Sequence, residues 1–537
     1  MKAQKAKRWI AALLCAAMLA GVGGVGAAAA GPERPDDMTY MLYNVADVAA
    51  RGLLKGITVL IPPIGIPGKM PESVNFYPGM AKFKALPSNP GYTWKLGHAK
   101  AAVTDGLSDN FIGKLFVSGA VDPLGKRTVT EILDPPMAYA TALSDGGNGT
   151  AVFVSLDAFG ITSYDVGNIR AALKDFAAAN NIVSINVSAL HQHSTVDTLG
   201  MNGNLLAGLF LNSFALLTGW YPPFSGKNRE YMKHLTGVVA DTVKKAVGNM
   251  EEGALYYGKA DVKEYINEKR QPDCFDPYFH RLRFQPKNAG SPETWLCNAP
   301  IHTTGLGTSD TKVSSDWPYF IAKNLASYNG GTNFQFVQGA QLAMGIRFDD
   351  PMPGASGYQR MEEYGKQLAA RLKSITGEQK LPALLNIAHK EYILPIDNPL
   401  HLLFFRLGAI ESTGRKTNLT GTKMELKTEI GYMELGGKIA VAMVPGEMEP
   451  ALAYDGKGLA KELSYRREAW TFTPMQDYTG GKPLIVFGLT NDQVGYILLP
   501  NDIAHFVVFG NEEVNMSSSQ AAPLTLAAFK ALTESVR

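Results

Sequence analysis

The run TAVFVSLD (150–157), the segment DVGNIRAALKDFAAAN (165–180) and the run IVSINVSAL (182–190) follow one another closely in the chain. The first and third are short and almost wholly apolar, which is typical of buried strands, and the middle one has the apolar spacing of a helix. A helix between two buried strands indicates a crossover between parallel strands. These residues therefore predict a sheet with helices packed against it.

The same alternation continues toward the C-terminus. Helical spacing is found at 228–250, 315–328 and 357–377, and strand-like runs are found at 254–262, 332–339 and 428–444. The last of these predicts a hairpin that turns at Gly436 and Gly437. We therefore predict an α/β fold with a large mixed sheet, formed by one domain over residues 96–537, without internal repeats.

The N-terminal 30 residues have the order of a signal peptide. Basic residues in MKAQKAKR (1–8) precede an apolar stretch over 9–21, and Ala28 and Ala30 fit a small-residue cleavage site. The alternative is a membrane anchor, but the apolar stretch is shorter than the ~20 residues that a spanning helix needs. We expect a cleaved signal peptide over 1–30 and a secreted or periplasmic protein.

Residues 31–95 are rich in proline and glycine, as in IPPIGIPGKMPES (61–73). We expect an irregular extension that packs along the body of the protein. The net charge of the whole chain is only +2, and no basic stripe stands out. Nucleic acid is therefore not an expected partner.

Two cysteines remain after the predicted signal peptide. Cys274 precedes the strand-like HRLRF (280–284), and Cys297 lies in the strand-like ETWLCNA (293–299). If these segments pair, an exported protein could keep a disulfide between them. The alternative is two separate buried thiols.

The sequence HQHS (191–194) directly follows the third segment of the opening pattern. Side chains alternate along a strand, so His191 and His193 share a face if the chain stays extended. Two close imidazoles can bind one metal ion, and open α/β sheets bind ligands at the ends of their strands. The alternative is a pair of surface histidines at the end of a strand.

Three further residues follow strand-like runs. Glu447 comes after an apolar run and a Pro-Gly turn, and would share an edge with His191 if both strands belong to one sheet. Taken alone, it is better explained as an acid at the N-terminus of a helix. His302 follows another strand-like run. Tyr496 enters an apolar run, where tyrosine most often packs.

Seven segments of this chain, in the same order, resemble the neutral (non-lysosomal, neutral/alkaline) ceramidase family. They are 134–161 with DPPMAYATAL, 185–198 with ALHQHS, 228–262 with NREYM and GKADV, 296–320 with SSDWPYF, 333–341 with NFQFVQGAQ, 444–447 with VPGE and 488–500 with NDQVGYILLP. The resemblance implies a ceramidase-like catalytic domain. It also implies zinc-dependent hydrolysis of an N-acyl amide, with a small-molecule or lipid-like substrate and peripheral contact with a membrane.

The resemblance also assigns roles to individual residues. His193, Glu447 and Tyr496 match zinc ligands of the family, and His191 and His302 match catalytic histidines that line the site. Zinc bound by three such ligands could activate a water molecule for attack on the amide.

Some positions depart from the family pattern. Leu133 or Pro135 stands where the family has its first histidine ligand, and the neighbouring Asp134 could replace it. Gly345 stands at the position of the family's serine, and Ala343 at that of its aspartate. The chain after Tyr496 is expected to be too short for the C-terminal domain of the larger members, which suggests a short bacterial-type member.

Two functions are therefore compatible with the sequence. The first is an exported zinc-dependent amide hydrolase that acts through metal-activated water. The second is a non-catalytic ligand-binding protein that keeps the ceramidase-like pocket without turnover.

Overall fold

The computed structural model describes residues 31–61, 66–86, 93–119, 122, 124–205, 225–307, 311–348, 355–456, 458–508 and 515–537. The signal peptide predicted for residues 1–30 lies outside this set. Within the described ranges, no helix is both long enough and apolar enough to cross a bilayer.

The helices are spread along the whole described chain. They are α1 Asp37–Leu60, α2 Asp109–Ile112, α3 Ser163–Ala172, α4 Lys174–Ala179, α5 Arg229–Gly248, α6 Asp316–Leu325, α7 Gly357–Lys373, α8 Pro399–Arg406, α9 Ala451–Tyr454 and α10 Ala521–Val536.

The first twelve strands precede α7, and the remaining eight follow it. The first group is β1 Trp94–Ala102, β2 Glu131–Ile132, β3 Met137–Ser144, β4 Thr150–Leu156, β5 Ile182–Ala189, β6 Glu251–Asp261, β7 Ile266–Glu268, β8 Tyr278–Pro286, β9 Glu293–Ala299, β10 Lys312–Val313, β11 Thr332–Gln338 and β12 Met344–Ile346. The second group is β13 Gln379–Leu381, β14 Leu385–Ile396, β15 Gly414–Lys416, β16 Met424–Leu435, β17 Ile439–Met443, β18 Glu447–Met448, β19 Leu484–Phe487 and β20 Tyr496–Ile497.

Most strands belong to two mixed sheets. The nine-stranded sheet has the order β11-β9-β8-β6-β1-β3-β4-β5, with β13 beside β6, and the five-stranded sheet has the order β14-β16-β17-β19, with β15 beside β16. The pairs β4–β5, β9–β11 and β17–β19 are parallel, whereas the other pairs within these two sheets are antiparallel. The predicted mixed-sheet α/β fold is confirmed.

The two sheets pack against each other, and helices cover their outer faces. Along β4, Ala151 and Phe153 enter a core shared with the five-stranded sheet, whereas Val152 and Val154 enter a core shared with α3 and α5. This alternation is what a strand buried on both faces requires. On the far side, α10 packs on β14 and β16, as Phe529 does on Tyr432.

The opening pattern of the sequence folds largely as predicted. Strands β4 and β5 pair in parallel across a helical connection. The predicted single helix is divided into α3 and α4 at Leu173, which ends one helix and begins the next. The predicted hairpin is also present, with Leu435 opposite Ile439 and positive φ at Gly436 and Gly437.

The extension over 31–95 is less irregular than the sequence suggested. Residues 37–60 form the 24-residue helix α1, which begins at the capping side chain of Asp36. This part of the extension contains no proline, and its glycines are confined to Gly52 and Gly56. Proline follows from residue 62 onward, so the composition of the whole segment concealed a helix in its first half.

The predicted disulfide is wrong, because Cys274 and Cys297 are both free thiols. The strands β8 and β9 do pair, but their register places Arg281 opposite Cys297. Cys274 lies before β8 begins at Tyr278. Cys274 is therefore seven residues along the chain from the position opposite Cys297.

Candidate metal centre

The candidate site forms where several strands of both sheets end. His191 and His193 follow β5, and His302 follows β9, both in the nine-stranded sheet. Glu447 follows β17 of the five-stranded sheet. The sequence suggested one sheet edge for these residues, whereas the carboxylate comes from the second sheet and meets the imidazoles across the sandwich.

Three imidazoles lie together in this site. The ligand atoms of His191, His193 and His302 are all within 4.8 Å of one another, and these are the residues in the described ranges that cluster closely enough to hold a metal ion. The chain does not stay extended here, because His191 has φ 61°. Phe159 stacks on the His191 ring at 4.4 Å between centroids.

Backbone carbonyls fix the protons on two of these rings. His191 Nδ1 lies 2.7 Å from Phe159 O, and His302 Nδ1 lies 3.0 Å from Met344 O. A carbonyl oxygen can only accept, so both Nδ1 atoms donate a proton to it. In the neutral rings the Nε2 atoms then carry lone pairs, which is the arrangement typical of metal-bound histidine.

Glu447 faces these lone pairs. Its Oε2 lies 3.1 Å from His191 Nε2 and 3.3 Å from His302 Nε2. The buried atoms His191 Nε2, Glu447 Oε2 and both ring nitrogens of His193 make no hydrogen bond of acceptable geometry. Lone pairs and a carboxylate held together in a buried space repel one another, and a metal ion or a proton on one of the rings would relieve this repulsion.

The protonation states agree with this arrangement. Burial, followed by the neighbouring imidazoles, lowers the pKa of His193, and burial lowers the pKa of His302. For Glu447, burial acts to raise the pKa, but His191 and His302 outweigh it and hold the pKa well below its usual range. The lowered pKa values favour neutral rings for His193 and His302 and an ionised carboxylate for Glu447, which are the forms that bind metal ions.

These donors fit a zinc ion. Zinc in proteins is bound by imidazole nitrogen and carboxylate oxygen, commonly in sets of three or four. The three imidazoles form a set of this size, with carbonyl-bound Nδ1 protons on two of them, and the carboxylate of Glu447 faces His191 and His302.

A pocket leads to this centre. His193 and Glu447 lie on its polar side, together with Gln493 and Tyr496. Its apolar wall is formed by Phe159, Leu199, Met201, Phe405, Ile410 and Leu426. The pocket can therefore hold the apolar part of a ligand, while polar side chains surround the end of the ligand that lies at the centre.

Tyr496 lies next to the centre because its strand pairs with the strand of Glu447. The short strands β18 and β20 pair in parallel, with Glu447 opposite Tyr496. The role of Tyr496 as a metal ligand stays a prediction.

Gln493, which sequence reasoning missed, donates from Nε2 to Glu447 Oε1 at 3.4 Å. Its position in the turn-like TNDQ before Tyr496 was the available signal.

Asp134 does not join the cluster of imidazoles in the part of the chain that the structure describes. Its carboxylate accepts hydrogen bonds from Ser314 Oγ and Tyr358 Oη, each at 2.7 Å. The suggestion that Asp134 replaces a missing histidine ligand is therefore not supported by its position.

The segment that contains Ala343 and Gly345 contacts the site through a backbone carbonyl group. Met344 O accepts from both the backbone N–H and the Nδ1 of His302. A Cβ at Gly345 would lie 3.0 Å from Lys269 Cε. This segment therefore orients an imidazole and supplies no hydroxyl at position 345.

Comparison with known proteins identifies the architecture. No protein-family model matches the chain, and no curated protein matches it either. Among solved structures, neutral ceramidase from Pseudomonas aeruginosa matches with a TM-score of 0.62 and 14% identity, over 82% of this chain and 75% of that one. This chain has the neutral ceramidase fold. A ceramidase complexed with C2 matches over the same shares, with a TM-score of 0.60 and 13% identity.

The fold predicted from the seven sequence segments is thus confirmed. At this level of identity, the likeness establishes the fold and leaves the chemistry to be argued from the site.

Proposed function

We propose that this protein hydrolyses an N-acyl amide with an apolar chain at a zinc centre. The proposal rests on Glu447 Oε2, which faces the Nε2 atoms of His191 and His302 in a buried space where a bound cation would be stabilised. The neutral ceramidase fold supports a lipid amide as the substrate class. The basic and apolar N-terminus supports export as the setting.

Four residues of the site are the proposed metal ligands. His191, His193, His302 and Glu447 would hold the ion, with Tyr496 beside them. When bound, zinc polarises a carbonyl and activates water near neutral pH.

The surrounding residues orient the substrate and the ligands. The apolar wall, including Phe405 and Leu426, would receive the acyl or long-chain part of the substrate and exclude water. Gln493 fixes the outer oxygen of Glu447, while its own Oε1 is buried without a hydrogen bond. This free acceptor is placed to bind an N–H or O–H of the substrate at the pocket.

Hydrolysis of N-acyl amides with short, medium and long acyl chains tests the proposal. We expect turnover that increases with chain length, is lost with a chelator and returns with Zn²⁺. A Gln493→Ala variant should still take up zinc and turn over more slowly, because it removes a pocket contact and a hydrogen bond to Glu447 without removing a proposed metal ligand.

One observation favours the non-catalytic alternative, namely the absence of a hydroxyl at Gly345, where the family has serine. If the protein binds zinc and long-chain amides but hydrolyses none of them, the enzyme proposal is wrong. The protein would then be a ligand-binding relative of the enzymes that share its fold.

A further inference from the structure

Helix α1 exposes a row of apolar side chains to solvent. Met38, Met41, Leu42, Val45 and Val48 are between 62% and 75% exposed. Their spacing of three and four residues places them on one face of the helix. Exposed apolar patches on soluble proteins are often sites of contact with another molecule, so this face is a candidate binding surface.

The charges of α1 do not interrupt this row. Asp37 pairs with Arg467 at the start of the helix, and Asp47 pairs with Arg51 at 2.7 Å. Lys55 lies beyond the end of the row and is itself exposed. Between residues 38 and 46 the helix contains no charged side chain.

The opposite face of α1 connects the row to the pocket. Leu54 and Ile57 are buried in a cluster with Leu403 and Phe404 of α8. The same helix α8 presents Phe405 to the pocket of the metal centre. One helix therefore separates α1 from the wall that would hold an apolar substrate chain.

We propose that the exposed face of α1 lies on a lipid bilayer, with its apolar row in the interfacial layer. Helices that bind membranes in this way are often 20–30 residues long and bury an apolar face about 5–10 Å deep. The contact that we propose is peripheral, with the helix lying along the surface of the bilayer. The choice of a lipid surface rests in part on the proposed function, because a lipid amide must leave a membrane to reach the pocket.

The size of the row argues against a second copy of the chain. The row from Met38 to Val48 is roughly 15 Å long and about 10 Å wide, or on the order of 150 Å². A stable protein interface buries about 800 Å² on each partner. A bilayer needs no matched surface of that size, because it adapts to the shape of the helix.

Flotation with vesicles of phosphatidylcholine and phosphatidylglycerol tests this inference. We expect the wild-type chain to float with the vesicles, and the double variant Met41→Glu/Val45→Glu to bind at least about tenfold more weakly, because two carboxylates would enter the interfacial layer. The matched control Met41→Leu/Val45→Leu keeps the face apolar and should bind like the wild type. Val48→Glu provides an independent third variant.

Several results would overturn the inference. They are wild-type protein that does not float, equal binding by the glutamate variants, or a dimer that these variants dissociate while vesicle binding stays unchanged. A fall in Tm without loss of vesicle binding would also overturn it, since another part of the chain would then cover the row.

Hydrolysis of a soluble short-chain amide separates this inference from the proposed function. The glutamate variants should keep wild-type turnover of that amide while losing turnover of an amide embedded in vesicles. If no form hydrolyses the soluble amide, the proposed function fails, and vesicle flotation still decides the role of α1.

Discussion

At the scale of single residues, the centre depends on how His191 leaves its strand. The HQH spacing predicted two imidazoles on one face of an extended chain, but φ 61° at His191 turns the backbone there. The rings still meet, 4.7 Å apart between centroids. His302 joins them from β9, and no local pattern in the sequence could show that contact. Residues in rarely populated backbone conformations are concentrated at functional sites, where surrounding contacts hold them.

We predict that Glu447→Gln weakens zinc binding at least about tenfold, because it removes the negative charge that faces two lone pairs. Calorimetric titration of the metal-free protein measures this change. The matched control is Glu434→Gln, a similarly buried glutamate that accepts from Tyr432 Oη and pairs with Lys482. Equal zinc affinity in the Glu447 variant and the wild type would show that this carboxylate does not bind or support the ion.

A second residue-scale prediction concerns Glu268. Burial, followed by the adjacent Asp273, raises the pKa of Glu268 from 4.5 to about 9. Between these values the folded chain keeps a proton that the unfolded chain releases, so stability falls as pH rises through this window. Glu268→Gln should flatten this fall in urea unfolding measured at several pH values. The exposed Glu264→Gln is the control, and an unchanged slope in the Glu268 variant would contradict the prediction.

At the scale of elements, apolar periodicity predicted most strands and helices but not their partners. The run at 439–443 was recognised as one arm of a hairpin, yet nothing in it shows that alternate residues face a second sheet. Helix α1 was missed because prolines after residue 61 dominate the composition of its segment. The division of the first helix at Leu173 also has no sequence signal that we could identify.

A buried ion pair joins three elements behind the site. Arg170 of α3 donates to both carboxylate oxygens of Glu429 on β16, each at 2.8 Å. Asn491, in the loop that carries Gln493 and Tyr496, donates to the same carboxylate at 2.7 Å. This network fixes the loop on the sheet and so helps to place the pocket residues.

We predict that Arg170→Met lowers the free energy of unfolding by about 3–5 kcal/mol, because it leaves Glu429 buried and unpaired. The double variant Arg170→Met/Glu429→Gln should recover most of this loss. Arg229→Met is the control, since Arg229 is 88% exposed and its pair with Glu411 is a surface contact; its effect should stay within about 0.5 kcal/mol. Urea unfolding measures the stability of all three variants. If Arg170→Met is as stable as Arg229→Met, the prediction is wrong.

At the scale of the whole molecule, the centre joins the two sheets. The three histidines follow strands of the nine-stranded sheet and Glu447 follows β17 of the five-stranded sheet, so a bound ion would link segments that leave the two sheets. The sequence anticipated the fold and these four residues through the seven segments and their strand-end positions. It did not anticipate Gln493, because the contact with Glu447 exists only after two distant loops meet.

The central claim is that this cluster is a metal centre, and the metal content of the purified protein tests it most directly. Mass spectrometry should find about one zinc ion per chain in the wild type and almost none in His193→Ala. The variant His98→Ala is the control, because His98 is a buried histidine bonded to Thr141, outside the cluster. Metal-free wild-type protein that takes up no added zinc, or equal zinc in the wild type and His193→Ala, would contradict the claim.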